Sequence, residues 1–345
     1  MLRLTAMSLA DRLQVYLKEK LGTDVRVEGL ARKSGGASRE TYLFDALWSE
    51  DGREVRRGYV LRRDPVASVL ESDRTLEYRV LEAAGALGIP VPKVCWLELS
   101  PEPLERPFFV MERVEGMPTP PTFPAAYPAE MRARTAADFV AILARIHGAD
   151  WKSRVLDILD DPGPGTEAAR RAVAHWRQIY EQDRVEPHPI LERGLAWLER
   201  NLPATERTTL VHGDYRSGNY LHLPDGSITA MLDWEMAHFG DPHEDLGWAT
   251  MPYWSCEGRA GGLESTEEML ARYEQISGTK VDRERVHFYQ VLGTVKMAAI
   301  SLTGVRSCCD ARSADPTLPI VGLLLGRLST ELLDLLGVAR AGGVK

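Results

Sequence analysis

The sequence predicts an α+β fold in which an antiparallel sheet with one helix precedes a larger, mainly helical part. Short runs rich in β-branched and aromatic residues occupy much of the first 112 residues. The Pro-rich stretch GMPTPPTFPAAYP at 116–128 then opposes regular structure. Beyond it, most segments have the apolar period of helices. We therefore expect an N-terminal region of residues 1–112 and a C-terminal region of residues 113–345.

The N-terminal elements follow from local patterns. An amphipathic helix is expected at about 8–21, and VRVEGLA, ETYLFDAL and RRGYVLRR read as strands between Gly and Asp turns. The next segment is helical, since its apolar residues recur at helical spacing and Gly88 and Pro90 end the pattern: Leu76, Val80, Leu81 and Ala84. PKVCWLEL and PFFVMERV supply two further strands.

The C-terminal region is predicted to be helical at about 130–148, 166–183, 189–201, 265–277, 282–303 and 317–337. Its opening part contains an exception, because TTLVHG, NYLHL and SITAMLD are β-type runs and PDG at 224–226 supplies a tight turn. The apolar run LPIVGLLLG at 318–326 is expected to be a core-facing helix, since it is too short to span a bilayer.

Composition disfavours several classes of protein. The 345-residue chain is 44% hydrophobic, enough for a substantial core, and its formal charge of -8 gives no general attraction to nucleic acid or to an anionic membrane. Its four cysteines have no C-x-x-C spacing, which favours reduced thiols. The amphipathic, charged N-terminal segment does not resemble an export signal, so a cytoplasmic location is expected.

One predicted hairpin concentrates polar side chains. Asp214, Asn219 and Asp233 flank its strands, and the hairpin would return the last of them toward the first two. Phosphoryl transfer needs a carboxylate that orients and deprotonates the attacking hydroxyl, and oxygen ligands that hold magnesium against nucleotide phosphates. This residue set can supply both.

The motif H-G-D-x-x-x-x-N at 212–219, followed by L-D-W-E at 232–235, resembles the aminoglycoside phosphotransferase and choline kinase-like family. GDYRSGNYL, LDWEMAHFGDPHEDLGW and VLRRDP are most similar to the branch of kinase-like domains associated with acyl-CoA dehydrogenases. The resemblance implies a two-lobed protein-kinase-like fold that uses ATP and magnesium. It implies Asp214 as the catalytic base, Asn219 and Asp233 as metal ligands, and a supporting catalytic role for Arg216 near the transferred phosphate.

The resemblance also implies a nucleotide site. In SGGASRETYLF, backbone amides at Gly35 and Gly36 and the hydroxyl of Ser38 would approach phosphate. Val60 would lie under the adenine, and Met111 would line the back of the adenine site. The backbone of the hinge would hydrogen-bond the base at two positions, Glu112 and Val114.

Arg62 departs from the family pattern, which usually has a phosphate-binding lysine at this strand position. Arginine keeps the charge but is bulkier and forked, so Arg62 either binds phosphate with a different geometry or mainly pairs with a helix glutamate. Glu77 is the expected partner, with Glu71 and Glu82 as competitors.

Three histidine and acid positions have scaffold interpretations. The resemblance implies that His212 braces the catalytic loop and that Asp245 anchors it through backbone amides. His147 is expected to be a packed histidine at a helix end. The remaining histidines near the hairpin share no metal-ligand spacing, which disfavours a zinc site.

These observations favour ATP- and magnesium-dependent phosphorylation of a small-molecule hydroxyl, with a hydroxyacyl-CoA as one implied acceptor. Protein substrates are disfavoured, because little chain separates Asp233 from DPHEDLGW and no A-P-E element follows. The helices from 166 to 207 carry seven Arg and seven acidic residues, with no acidic excess that would favour a polycationic antibiotic. The alternatives are an aminoglycoside or amino-alcohol kinase and a non-catalytic nucleotide-binding regulator. No oligomeric state is implied.

Overall fold

The computed structural model describes residues 7–33, 40–64, 74–155, 157–312 and 317–338. Its first part is a five-stranded antiparallel sheet with the strand order β1-β2-β3-β5-β4. The strands are β1 Val25–Lys33, β2 Glu40–Glu50, β3 Arg53–Arg63, β4 Val94–Glu98 and β5 Phe108–Glu112. Two helices accompany this sheet, α1 Leu9–Leu21 and α2 Arg74–Ala86.

Local sequence explains where α1 begins. Ser8 caps the first turn, since its side chain accepts from the backbone N–H of Asp11 while the Asp11 carboxylate accepts from the backbone of Ser8. The helix ends at Gly22, which has the left-handed conformation common after a helix. The predicted start at residue 8 therefore differs from the observed first residue, Leu9, by one position, the N-cap.

The second part is mainly helical and carries two small sheets. Its helices are α3 Ala129–Gly148, α4 Lys152–Val155, α5 Glu167–Asp183, α6 Pro189–Arg200, α7 His243–Ala249, α8 Thr266–Ser277, α9 Arg283–Cys309, α10 Thr317–Ile320 and α11 Leu324–Leu335. Its strands are β6 Met117–Pro118, β7 Thr209–Val211, β8 Tyr220–His222, β9 Ile228–Met231 and β10 His238–Gly240. The sheets have the orders β6-β8-β9 and β10-β7, and 3₁₀ turns occur at Trp234–Met236, Pro252–Trp254 and Val321–Leu323. This arrangement confirms the predicted α+β class.

One apolar core joins the sheet to the helical part and positions the polar hairpin between them. It includes Val60 and Met111 of the sheet, Val80 of α2, Phe139 of α3 and Tyr220 of β8. A second core surrounds α9, which packs against α5, α6, α7 and α11. Because β8 belongs to the first core, the residues at its ends lie where the two parts of the molecule meet.

The prediction for residues 318–326 was wrong in one respect. Helix α10 ends at Ile320, a 3₁₀ turn follows, and α11 begins at Leu324. Leu323 is 81% exposed and points away from the core, whereas Val321 of the same turn packs against α9. Gly322, which disfavours a regular α-helix, lies at the break. In the described ranges, no helix combines the length and the apolarity needed to cross a bilayer.

Candidate active site

The hairpin β8–β9 brings the two ends of the polar motif together. Tyr220 pairs with Met231, and the N–H of Leu232 donates to the carbonyl of Asn219 at 2.8 Å. Asn219 immediately precedes the first strand, and Asp233 lies one residue beyond Leu232. The two side chains proposed to bind metal therefore emerge at the same end of the hairpin.

The carboxylate of Asp214 is fixed by three side-chain donors. Its Oδ1 accepts from Nε of Arg216 at 3.0 Å and from Nε1 of Trp248 at 2.8 Å, and its Oδ2 accepts from Nδ2 of Asn219 at 2.6 Å. The side chain of Asp214 remains 15% exposed. Hydrogen bonds of this kind fix the orientation of the carboxylate.

The oxygen atoms of Asn219 and Asp233 fit a hard cation. The Asn219 amide nitrogen donates both to the carbonyl and to the carboxylate of Asp214, so the amide oxygen is the atom with which Asn219 could bind a metal. Asp233 has a left-handed backbone, with φ of 67°, and its side chain is 35% exposed. The described residues contain no group of three or more His, Cys, Asp or Glu side chains that could hold a metal. A magnesium ion here would therefore complete its coordination with oxygens from water and from a nucleotide.

Arg62 links the sheet to the hairpin. Its guanidinium donates to Oε1 of Glu77 at 2.5 Å and to Oδ1 of Asp233 at 3.2 Å. Glu77, the expected partner, is fully buried in α2. Of its two competitors, Glu82 is exposed and Glu71 lies outside the described residues. Burial alone would lower the pKa of Arg62. The negative charges of Glu77 and Asp233 together have the larger effect, so the pKa is raised overall.

A buried carboxylate holds the loop that carries Asp214. The backbone N–H groups of His212 and Gly213 donate to the carboxylate of Asp245 at 2.8 and 3.0 Å, as expected from the sequence. Asp245 also contacts Nε2 of His147, whose Nδ1 contacts the hydroxyl of Tyr273. Burial would raise the pKa of Asp245, but the hydrogen bond and charge of His147 lower it. His147 thus packs at the end of α3 and supports this anchor.

His212 braces the same loop in its neutral form. Its Nδ1 accepts from the backbone N–H of Asp214 at 3.2 Å, while its Nε2 lies 3.0 Å from the carbonyl oxygen of Leu232 and donates to it. These partners require a proton on Nε2 alone. Complete burial lowers the pKa of His212 and favours this neutral form.

The expected adenine-site residues lie on adjacent strands. Val60 and Met111 are direct partners in the pairing of β3 with β5, and both are buried. The N–H of Glu112 donates to the carbonyl of Lys93 at 2.8 Å, so its carbonyl is the backbone group that could contact a base. Val114 follows in the connection to the helical part. Gly35, Gly36 and Ser38 lie outside the described residues, and their phosphate contacts stay a prediction.

Two residues that the sequence did not identify reinforce the site. Trp248 of α7 donates to Asp214, and the ammonium of Lys296 of α9 donates to the carbonyl of Gly213. The ammonium also lies 4.3 Å from the ring centroid of Trp248. A signal existed for Lys296, since it is the one charged residue in the otherwise apolar run VLGTVKMAAI at 291–300.

Comparison with known proteins is consistent with this geometry. Residues 30–289 match the profile of a family described as "Phosphotransferase enzyme family". Acyl-CoA dehydrogenase family member 10 of Mus musculus is 32% identical over 328 residues, which cover 88% of this chain and 30% of that protein. The chain thus spans about a third of the length of this relative.

Solved structures share the fold. A putative aminoglycoside phosphotransferase from Ralstonia eutropha has a TM-score of 0.71 at 22% identity, with 96% of this chain and 98% of that chain covered. A thermostable mutant of aminoglycoside phosphotransferase APH(4)-Ia, solved as a ternary complex with AMP-PNP and hygromycin B, has a TM-score of 0.59 at 19% identity. That match covers 95% of this chain and 99% of the other. The fold is therefore the two-lobed protein-kinase-like fold that the sequence predicts.

Proposed function

Because the chain belongs to the phosphotransferase enzyme family, we propose that it transfers the γ-phosphoryl group of ATP to a hydroxyl group of a small molecule. The observation that carries this proposal is the fixed carboxylate of Asp214, held by Arg216, Asn219 and Trp248 beside the oxygen ligands of one hairpin. A positioned carboxylate next to such ligands is what in-line phosphoryl transfer requires of a protein.

Asp214 acts as the general base in this proposal. Its carboxylate orients the acceptor hydroxyl and takes the proton as that oxygen bonds to the γ-phosphorus, while the bond to the bridging oxygen of ADP breaks. Arg216 keeps Oδ1 in place through Nε at 3.0 Å and adds positive charge near the transferred group.

The nucleotide would bind between the sheet and the hairpin. Val60 and Met111 would contact the adenine, and the backbone of Glu112 and Val114 would hydrogen-bond its edge. The backbone of Gly35 and Gly36 and the hydroxyl of Ser38 would contact the phosphates. Arg62, held by Glu77, would supply the positive charge that the family usually takes from lysine.

Magnesium would be held by the amide oxygen of Asn219 and the carboxylate of Asp233. The ion would neutralise charge on the β- and γ-phosphate oxygens. The Asn219 side chain is already oriented for this role, because both of its amide-nitrogen contacts go to Asp214.

A hydroxyacyl-CoA is the acceptor that we propose first, since an acyl-CoA dehydrogenase family member is among the relatives with the highest identity. An aminoglycoside or amino-alcohol is the second candidate, supported by the similarity in fold to the APH(4)-Ia complex that contains hygromycin B. A non-catalytic nucleotide-binding regulator is the third. The contact between Arg62 and Asp233, which occupies one oxygen of a proposed metal ligand, favours this alternative.

The proposal is tested by measuring ATP consumption with magnesium across hydroxyacyl-CoAs, aminoglycosides, choline-like alcohols and sugars. Acceptor-dependent turnover that Asp214→Asn abolishes, and that Asp225→Asn in the exposed turn of the same hairpin retains, is the expected result. Turnover that survives Asp214→Asn would remove Asp214 as the base. Tight magnesium-independent ATP binding without turnover of any acceptor would favour the regulator.

A further inference from the structure

A cavity of about 350 Å³ adjoins the candidate active site and shares Lys296 with it. Its walls come from α5, from residues 235–239 after Asp233 and from α9. Much of its lining is apolar, including Ala168, Ala172, Trp176 and Phe239. At about 30 Å³ for each water-sized group, the cavity holds on the order of a dozen heavy atoms, which is enough for an acyl group but not for a multi-ring aminoglycoside.

Lys296 is the unusual polar group of this cavity. It is only 3% exposed, and its ammonium donates to the carbonyl of Gly213 and lies between the rings of Trp248 and Trp176, at 4.3 and 5.3 Å from their centroids. In the part of the chain that the structure describes, no carboxylate lies within ion-pair distance of it. Burial lowers the pKa of Lys296, against the opposing charges of Glu244 and Asp214.

Other charged groups of the cavity wall have partners of opposite sign. Glu244 contacts Nε2 of His238 at 3.2 Å, and Arg171 contacts Asp160 at 2.5 Å. The half-buried Glu235 lies within electrostatic reach of Arg62. A buried ammonium that lacks a carboxylate partner is favourably placed to bind an oxygen atom with full or partial negative charge.

The cavity adjoins the loop that carries the proposed base. Lys296 contacts Gly213, the residue before Asp214, and the indole of Trp248 connects the ammonium to the Asp214 carboxylate. Met236, which lines the cavity, is packed so closely on Gly213 that a Cβ there would lie 2.5 Å from its carbonyl oxygen. A ligand in the cavity would therefore lie beside the catalytic loop.

We propose that this cavity binds the acyl portion of the acceptor and that Lys296 is a specificity-determining residue that binds its carboxylate or thioester carbonyl oxygen. The inference rests on the proposed phosphotransferase function and deepens it. The apolar walls surround the hydrocarbon chain, while the ammonium selects acceptors with an acyl oxygen over diols of the same length and over polycations.

The experiment compares three matched ligand series with the full chain: hydroxy acids from 3-hydroxybutyrate to 6-hydroxyhexanoate, their CoA thioesters, and the diols from 1,3-butanediol to 1,6-hexanediol. Binding is measured by isothermal titration calorimetry, and kcat and KM are measured with ATP and magnesium. The free acids and the thioesters show which source of acyl oxygen is preferred. The variants are Lys296→Met, Ala172→Phe, which fills the cavity from α5, and the control Lys280→Met at an exposed lysine.

We expect Lys296→Met to raise Kd and KM for acids or thioesters by about tenfold or more, with a much smaller change in the Kd of diols and in the KM of ATP. The kcat should fall for every acceptor, because Lys296 also holds the carbonyl of Gly213. Ala172→Phe should weaken binding of acids, thioesters and diols alike, and Lys280→Met should leave the binding of all three unchanged. The Ala172→Phe variant keeps the test decisive if Lys296→Met does not fold.

Equal effects of Lys296→Met on acids and diols, no effect of Ala172→Phe, or no binding of any ligand to the unmodified protein would overturn the inference. Failure of the proposed function has a different signature. Acyl ligands would then bind in a Lys296-dependent manner without any turnover. Turnover that neither Lys296→Met nor Ala172→Phe affects would instead support the phosphotransferase function and reject the cavity as the acyl-binding site.

Discussion

The indole Nε1 of Trp248 donates to Oδ1 of Asp214 at 2.8 Å, although the two residues are 34 positions apart in sequence. Trp248 is 3% exposed, and its ring lies against Lys296 on one side and edge-on to Trp254, with centroids 5.6 Å apart. A side chain with so little freedom fixes the carboxylate that we propose as the base. Trp248 is thus a positioning residue that acts through Asp214.

Trp248→Phe should lower kcat by about tenfold while leaving the KM of ATP nearly unchanged, and the smaller ring should cost on the order of 1 kcal/mol of unfolding free energy. The substitution keeps the aromatic packing but removes one donor to a charged carboxylate. Steady-state kinetics and thermal unfolding measure these quantities, and Trp197→Phe on α6 is the matched control. A large loss of stability with normal kcat would assign Trp248 a packing role only.

Arg62→Met should reduce stability and ATP affinity together. It removes the guanidinium from the buried carboxylate of Glu77, and breaking a buried ion pair typically costs on the order of 3 kcal/mol. Urea denaturation measures the stability loss, and nucleotide titration measures the affinity. The double variant Arg62→Met, Glu77→Leu should regain part of the stability but none of the ATP affinity. Recovery of both would mean that Arg62 serves only the fold.

Much of the hairpin could be predicted because its information is local. The turn residues PDG and the short β-type runs specify the hairpin, and the five-residue spacing from Asp214 to Asn219 lies within one loop. The pairing of Tyr220 with Met231 then brings Asp233 to the same end. Strand alternation likewise placed Val60 and Arg62 on one face of their strand.

The supporting contacts could not be predicted in the same way. Lys296 reaches Gly213 across 83 positions, and Arg62 reaches Asp233 across 171, so each depends on how separate elements pack. The short helix α7 has only seven residues, too few for an apolar period to be recognised. The break in the helix predicted at 318–326 depends on local backbone geometry, which the apolar pattern of the sequence does not reveal.

The contribution of His238 to stability should decrease at alkaline pH. Its Nδ1 lies 2.9 Å from the carbonyl of Met236 and its Nε2 lies 3.2 Å from Glu244, so both nitrogens can act as donors when the ring is protonated. Burial and Lys296 lower the pKa of His238, but Glu244 outweighs them and raises it above the usual value. The stabilisation is therefore fully present below about pH 6.5 and is lost as the pH rises through the higher pKa of the folded state.

Thermal unfolding at about pH 5.5 and about pH 9 tests this sign. The difference in melting temperature between the unmodified protein and His238→Gln should be larger at the acidic pH. Glu244→Gln should reduce the same pH dependence, and the double variant should add little further change. Equal differences at the two pH values would contradict the pairing of His238 with Glu244.

Gly213→Ala should impair catalysis more than its cost in backbone strain explains. Gly213 has a φ of 81°, and an added Cβ would lie 2.5 Å from the carbonyl oxygen of Met236. The loop must therefore move, and misplacing Asp214 by about 1 Å can reduce kcat by on the order of 100-fold. Gly278→Ala is the matched control, because it has a φ of 66° with no neighbouring atom within 4 Å. That variant should lose about 1 kcal/mol of unfolding free energy and keep its kcat. Similar kcat values for the two variants would mean that the close approach of Met236 to Gly213 does not position Asp214.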